Sequence, residues 1–114
     1  MRTTVISALC CFMFSFSSGF AQDKKTETFK VYGNCDMCKE TIEGSLKKKD
    51  GILSKRWDKE KKEISVTYNT EKISIQQIGE KIAKAGYDNQ YATAPDEAYN
   101  NLHSCCHYER HKKQ

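Results

Sequence analysis

The stretch "TETFKVYG" alternates: Phe29 and Val31 share one face while Lys30 and Tyr32 share the other, the period-two pattern of a half-buried strand. From Met37 to Lys49 the rhythm changes. Cys38, Ile42 and Leu46 recur every four residues and make one apolar helical stripe, which Asp50 and Gly51 bring to an end. "ILSKRWD" and "EISVTYN" then read as two strands joined by the charged turn "KEKK", with Ile64, Val66 and Tyr68 alternating cleanly in the second. Ser74 is placed to cap a second helix, with Gln77 three residues on completing a capping box. Ile75, Ile78, Ile82 and Ala85 form the apolar face of that helix, and Gly86 is its expected stop. "YDNQYAT" predicts a short fourth strand. Pro95, followed by Asp96 and Glu97, predicts the start of a last helix running through "EAYNNLHSCCHYER".

The order is β-α-β-β-α-β with an added C-terminal helix. It predicts an α+β, ferredoxin-like βαββαβ sandwich, an antiparallel sheet with two helices on one face.

The first residues change the picture of where the domain starts. Met1 and Arg2 precede an apolar run from Val5 to Phe16, and "SSGFAQ" supplies Gly19 and Ala21 as small residues at cleavage spacing. Residues 1–21 are therefore expected to be a signal peptide cleaved after Ala21, and the protein is expected to be exported, with a periplasm the best-suited compartment. Residues 22–28 are expected to be a flexible N-terminal segment, 29–93 the folded domain, and 94–114 a Cys/His-containing helix and basic tail.

Of six cysteines, Cys10 and Cys11 would leave with the leader, and Cys35, Cys38, Cys105 and Cys106 would remain. An even count in an exported protein usually signals disulfides. Two tight pairs, in place of spread staples, argue instead for ligands or redox chemistry. The formal net charge is +4, but the lysines of "SLKKKD" and "DKEKKE" are interleaved with acids and no basic stripe carries aromatics, so no nucleic-acid partner is expected.

Cys35 and Cys38 stand where the first strand gives way to the first helix. Two thiols at that spacing can turn toward one soft cation, and a helix start favours the thiolate that ligates. Thiolates prefer monovalent copper or zinc to magnesium or calcium. A Cys-x-x-Cys pair also serves thioredoxin-like redox sites, so the pair alone leaves both chemistries open.

"VYGNCDMCKETIEGSL", "GI" at Gly51 and Ile52, and "IGEKIAKAGY" ending at Gly86 and Tyr87 together resemble the heavy-metal-associated domain family, which includes copper chaperones and periplasmic mercury-binding proteins. The resemblance runs from Phe29 to about Ala92. It implies capture of a soft ion by Cys35 and Cys38, copper(I) first with mercury(II) or zinc(II) as other occupants, and hand-over to a partner by ligand exchange. Tyr87 falls where the family places a residue packing against the metal loop. Here the loop is one residue shorter than the family's usual Gly-Met-x-Cys-x-x-Cys.

On the expected terminal helix, Ala98, Leu102, Cys105 and Cys106 share one side. His103, His107 and His111 recur at steps of four beside them. Cys105 and Cys106 have three readings: apolar packing, a vicinal disulfide, or completion of a three- or four-sulfur site with Cys35 and Cys38. The histidines read as a weaker secondary site or a solvated face, and Met37 reads as loop packing ahead of a thioether ligand. The functional expectation is a non-enzymatic metal carrier, monomeric or bridged into a dimer by its ion, serving a membrane transporter or efflux component. The alternative is a thiol-disulfide oxidoreductase using the same Cys-x-x-Cys pair.

Overall fold

The computed structural model of the protein describes residues 23–110. The expected leader, its cleavage point after Ala21, and His111 lie outside them.

Three strands, β1 (Lys24–Lys30), β2 (Ile52–Asp58) and β3 (Glu63–Asn69), form an antiparallel sheet in the order β1-β3-β2. In β3, Ile64, Val66 and Tyr68 point inward as their alternation predicts, and Phe29 of β1 pairs with Ile64. In β2 the buried residues are Ile52 and Trp57, an odd spacing that a regular strand would place on opposite faces. A register shift between Ile52 and Ser54 resolves this: the irregularity swings Leu53 outward and lets both Ile52 and Trp57 face the core, opposite Tyr68 and Ile64.

Helices α1 (Asp36–Gly44) and α2 (Ile75–Lys84) bury Cys38 and Ile42, and Ile78 and Ile82, in the same core. α2 carries the predicted capping box: Ser74 Oγ accepts from Gln77 N, and Gln77 Oε1 accepts from Ser74 N. Gly86 adopts φ +112°, the left-handed stop that its sequence position predicts.

Four expectations require correction. β1 starts at Lys24, inside the segment expected to be flexible, because its register with β3 runs back to a Lys24–Asn69 pair. α1 ends at Gly44, short of Lys49. Gly44 and Ser45 are poor helix continuers, and the chain makes a separate 3-10 turn at Lys48–Asp50 before Gly51 at φ +102°.

The fourth strand is reduced to two isolated bridges, Val31–Asn89 to the first strand's extension and Asn89–Ala92 within the segment, with Tyr32 N–Asp88 O and Gln90 N–Lys30 O hydrogen bonds flanking the first. Asn89 ends the pairing. Its side chain donates to Gly79 O and Tyr87 O and accepts from Tyr91 N, which turns the chain back on itself.

The terminal helix is likewise broken. α3 spans only Asp96–Asn100, a 3-10 turn follows at Ser104–Cys106, and the chain from 101 to 110 forms a strap across the domain. Consecutive Asn100 and Asn101 favour turns over helix interiors, and tertiary anchors then set the path. The expected stripe of histidines at helical spacing is lost with it.

Candidate metal centre

The cysteine loop is held from below. Cys35 is the N-cap residue of α1, with extended backbone, and Cys38 lies in the first turn. Trp57 Nε1 donates to Val31 O at 3.0 Å, and the indole packs so closely under Gly33 that a Cβ there would lie 2.9 Å from the ring. Glu43 ties α1 to β2 by accepting from Trp57 N at 2.8 Å and from Lys39 Nζ at 2.6 Å. The Asn34 amide donates to Cys38 Sγ at 3.3 Å.

The strap is held by residues whose role the sequence did not reveal. Tyr108 is buried, accepts from Asp88 N and donates to Gly86 O, both at 2.8 Å, and its ring stacks on Tyr87. Arg110 grips the Asp88 carboxylate with two bonds of 2.9 Å, reaches Asp96 at 2.8 Å and Ala94 O at 2.6 Å, and covers the Tyr99 ring. Burial would push the Asp88 carboxyl up, but the Arg110 bonds and the Ala94 amide outweigh it and hold the carboxyl below its usual range. The available signal was "CCHYER" itself: an aromatic and a cation directly after the cysteines, able to anchor the segment that presents them.

These anchors bring all four cysteines together. Cys35 Sγ lies 3.5 Å from Cys38 Sγ, 3.3 Å from Cys105 Sγ and 3.7 Å from Cys106 Sγ. Cys38 and Cys106 are both buried, with their sulfurs 2.7 Å apart. None of the four is in a disulfide, so the vicinal bridge between Cys105 and Cys106 is absent. Cys35, Cys105 and Cys106 form a three-ligand group whose sulfurs all lie within 4.8 Å of one another, open to solvent through Cys105.

Two sulfurs on one ion with bonds of about 2.3 Å and a trigonal angle are about 4 Å apart, so most of these separations suit a shared soft ion with little movement. Cys38 and Cys106, at 2.7 Å, must part furthest to share it.

The thiols are electrostatically unequal. Burial alone would push the Cys35 thiol up, yet hydrogen bonding from Cys105 and from the Cys38 backbone and side chain brings it down to about 7. The Cys105 thiol is pushed up, first by its hydrogen bond to Cys35. Burial and the neighbouring Cys38 raise Cys106 further. Tyr87 is fully buried, and its hydroxyl faces Cys106 without a hydrogen bond of ordinary geometry among the described residues. A buried hydroxyl facing a sulfur fits a site in which that sulfur becomes a thiolate and accepts the bond.

The histidines do not join. His103 and His107 are exposed, and the His107 ring stacks on Tyr99 at 5.0 Å. Met37, read from the sequence as loop packing, is 41% exposed.

Comparison with known proteins agrees with this architecture. The model of the heavy-metal-associated domain matches residues 28–88. The copper chaperone CopZ of Staphylococcus haemolyticus (strain JCSC1435) is 34% identical over 55 residues, 48% of this chain and 81% of that protein. The crystal structure of oxidized MerP from Ralstonia metallidurans CH34 superposes with a TM-score of 0.55 at 28% identity, covering 59% of this chain and 94% of that one. The Cu(I)-loaded N-terminal domain of a potential copper-translocating P-type ATPase from Bacillus subtilis gives a TM-score of 0.54 at 25% identity, over 58% and 84% of the two chains. The family match stops short of the strap, so Cys105 and Cys106 lie beyond it. With its Cys-x-x-Cys loop at the start of α1 and its packed α+β core, the chain belongs to the heavy-metal-associated domain family.

Proposed function

We propose that this protein is an exported, non-enzymatic carrier of a soft metal ion, copper(I) before mercury(II) or zinc(II), held by Cys35 and Cys38 together with Cys105 and Cys106. The observation that carries the reading is the convergence of sulfurs from two ends of the chain on one partly open point. A structural zinc site closes around its ion with four ligands. Here the cluster stays open on one side through Cys105, with Cys35 half-buried and Cys38 and Cys106 buried behind it, which suits an exchangeable soft ion.

Release follows by ligand exchange, an incoming thiolate replacing the exposed Cys105 or Cys35 first. A membrane metal transporter or efflux component is the receiver that fits such a carrier, and the likeness to a P-type ATPase domain supports it. The same exposed rim would let one ion bridge two copies, so the protein works as a monomer or a metal-bridged dimer. Export, to a periplasm, rests on the sequence of residues 1–21.

The test is stoichiometry. The reduced protein should take up about one copper(I) per chain, and Cys35→Ser with Cys38→Ser should abolish tight uptake. Unchanged stoichiometry in the double variant would contradict the proposal.

The close Cys38–Cys106 pair and the lowered Cys35 thiol favour one second reading, a thiol-disulfide oxidoreductase. Insulin reduction in metal-free buffer separates the two: turnover at oxidoreductase rates supports the second, and its absence the first.

A further inference from the structure

Met37 sits between the two loop cysteines in the first turn of α1, yet it is one of two large apolar side chains left exposed among the described residues. The other, Leu53, is turned outward by the β2 register shift. Met37 has no such cause. Its carbonyl accepts from Thr41 Oγ1 within ordinary helix geometry, and its side chain reaches over the rim of the cysteine cluster. There its sulfur lies 3.9 Å from Cys105 Sγ, which in turn lies 3.3 Å from Cys35 Sγ.

We propose that Met37 is a fifth sulfur of the centre, a thioether ligand that shares copper(I) with Cys105 and Cys35 at the open rim and biases the site toward monovalent copper. This rests on the reading that the cysteines hold the ion. The 3.9 Å separation already matches the spacing of about 4 Å expected for two sulfurs on one trigonal ion, so Met37 and Cys105 need not shift relative to each other to share it. A thioether is neutral and soft. It adds donor density to copper(I) without adding charge and gives little to zinc(II), which is content with thiolate, imidazole or carboxylate. Binding is ligand addition only: copper stays monovalent and no bond in the side chain breaks. An exposed thioether is also the weakest donor of the set, so its departure makes room for the incoming thiolate that then replaces Cys105 or Cys35.

The direct test uses the full chain produced with selenomethionine, reduced and loaded with one equivalent of copper(I), with absorption read at both the copper and selenium edges. The chain holds three methionines, Met1, Met13 and Met37, so a labelled Met37→Leu variant assigns the signal. A copper neighbour at the selenium edge that vanishes in Met37→Leu is the expected result. In the same variant, the preference for copper(I) over zinc(II) in competition should fall on the order of tenfold, the lower end of what supporting groups around a metal contribute.

Copper bound through sulfur with no copper–selenium contact, or a contact that survives in Met37→Leu, overturns the assignment while leaving the thiolate site standing. Failure of the wild-type chain to take up copper(I) overturns both. Because leucine matches methionine in size and the position is exposed, the variant keeps the fold.

Discussion

Cys35 is where charge and exposure meet. It is half-buried, caps α1, and is the thiol whose pKa is brought down, to about 7, while Cys105 and Cys106 are pushed up. Alkylation of the reduced, metal-free protein should therefore label Cys35 first, with a midpoint near pH 7, and label Cys105 only above the ordinary thiol value of about 8.5. Peptide mapping reads this. A common midpoint for both would contradict the assignment. The sign for stability follows: a thiol lowered in the folded state contributes stability at high pH and loses it as pH falls through about 7. Copper affinity should weaken over the same range, because one more proton must then be displaced.

Gly33 tests the loop from below. A methyl group there would meet the Trp57 ring at 2.9 Å and Cys38 Cβ at 3.3 Å, so Gly33→Ala should cost about 1–3 kcal/mol of unfolding free energy by denaturant titration, the usual range for overpacking. An unchanged midpoint would show that the indole is free to move.

At the scale of elements, the strap is the addition that matters, and Tyr108 and Arg110 hold it. Tyr108→Phe strands Asp88 N and Gly86 O, which should cost about 1–3 kcal/mol. It should also make Cys106 markedly more reactive to a thiol reagent than in the wild type. Reactivity unchanged in the variant would mean that the strap is held some other way.

The Asp88–Arg110 pair adds a pH signature. The Asp88 carboxyl is lowered in the folded state, so its contribution is present above about pH 4 and is lost as pH falls through the folded value. Arg110→Met should shrink that acid-side loss. Urea midpoints measured across the range decide the matter, and identical acid limbs would remove the pair from the strap's anchoring.

Local signals carried the regular elements: Ser74 and Gln77 announced α2, and Cys38 with Ile42 announced α1. Long-range geometry did not show itself. The β2 register shift depends on what β3 offers opposite, and the fourth strand is cut short by Asn89 reaching Gly79. Steps of four through His103 and His107 mimicked a helix, where Asn100 and Asn101 had already ended one.

In the molecule as a whole, a small α+β domain of the heavy-metal-associated family supplies two thiols, and a segment beyond the family match returns across it to supply two more. The sequence made the front pair legible through its spacing and its neighbours. It left the rear pair open among three readings, because their place depends on Tyr108 stacking on Tyr87 and Arg110 finding Asp88, contacts that no periodicity encodes.

Copper-edge absorption of the reduced full chain loaded with one equivalent of copper(I) decides whether both cysteine pairs share one ion. The wild type should show at least three sulfur neighbours, and Cys105→Ser with Cys106→Ser should lower that count and shorten the mean copper–sulfur distance. The same count and distance in both proteins would mean that Cys105 and Cys106 do not bind the ion.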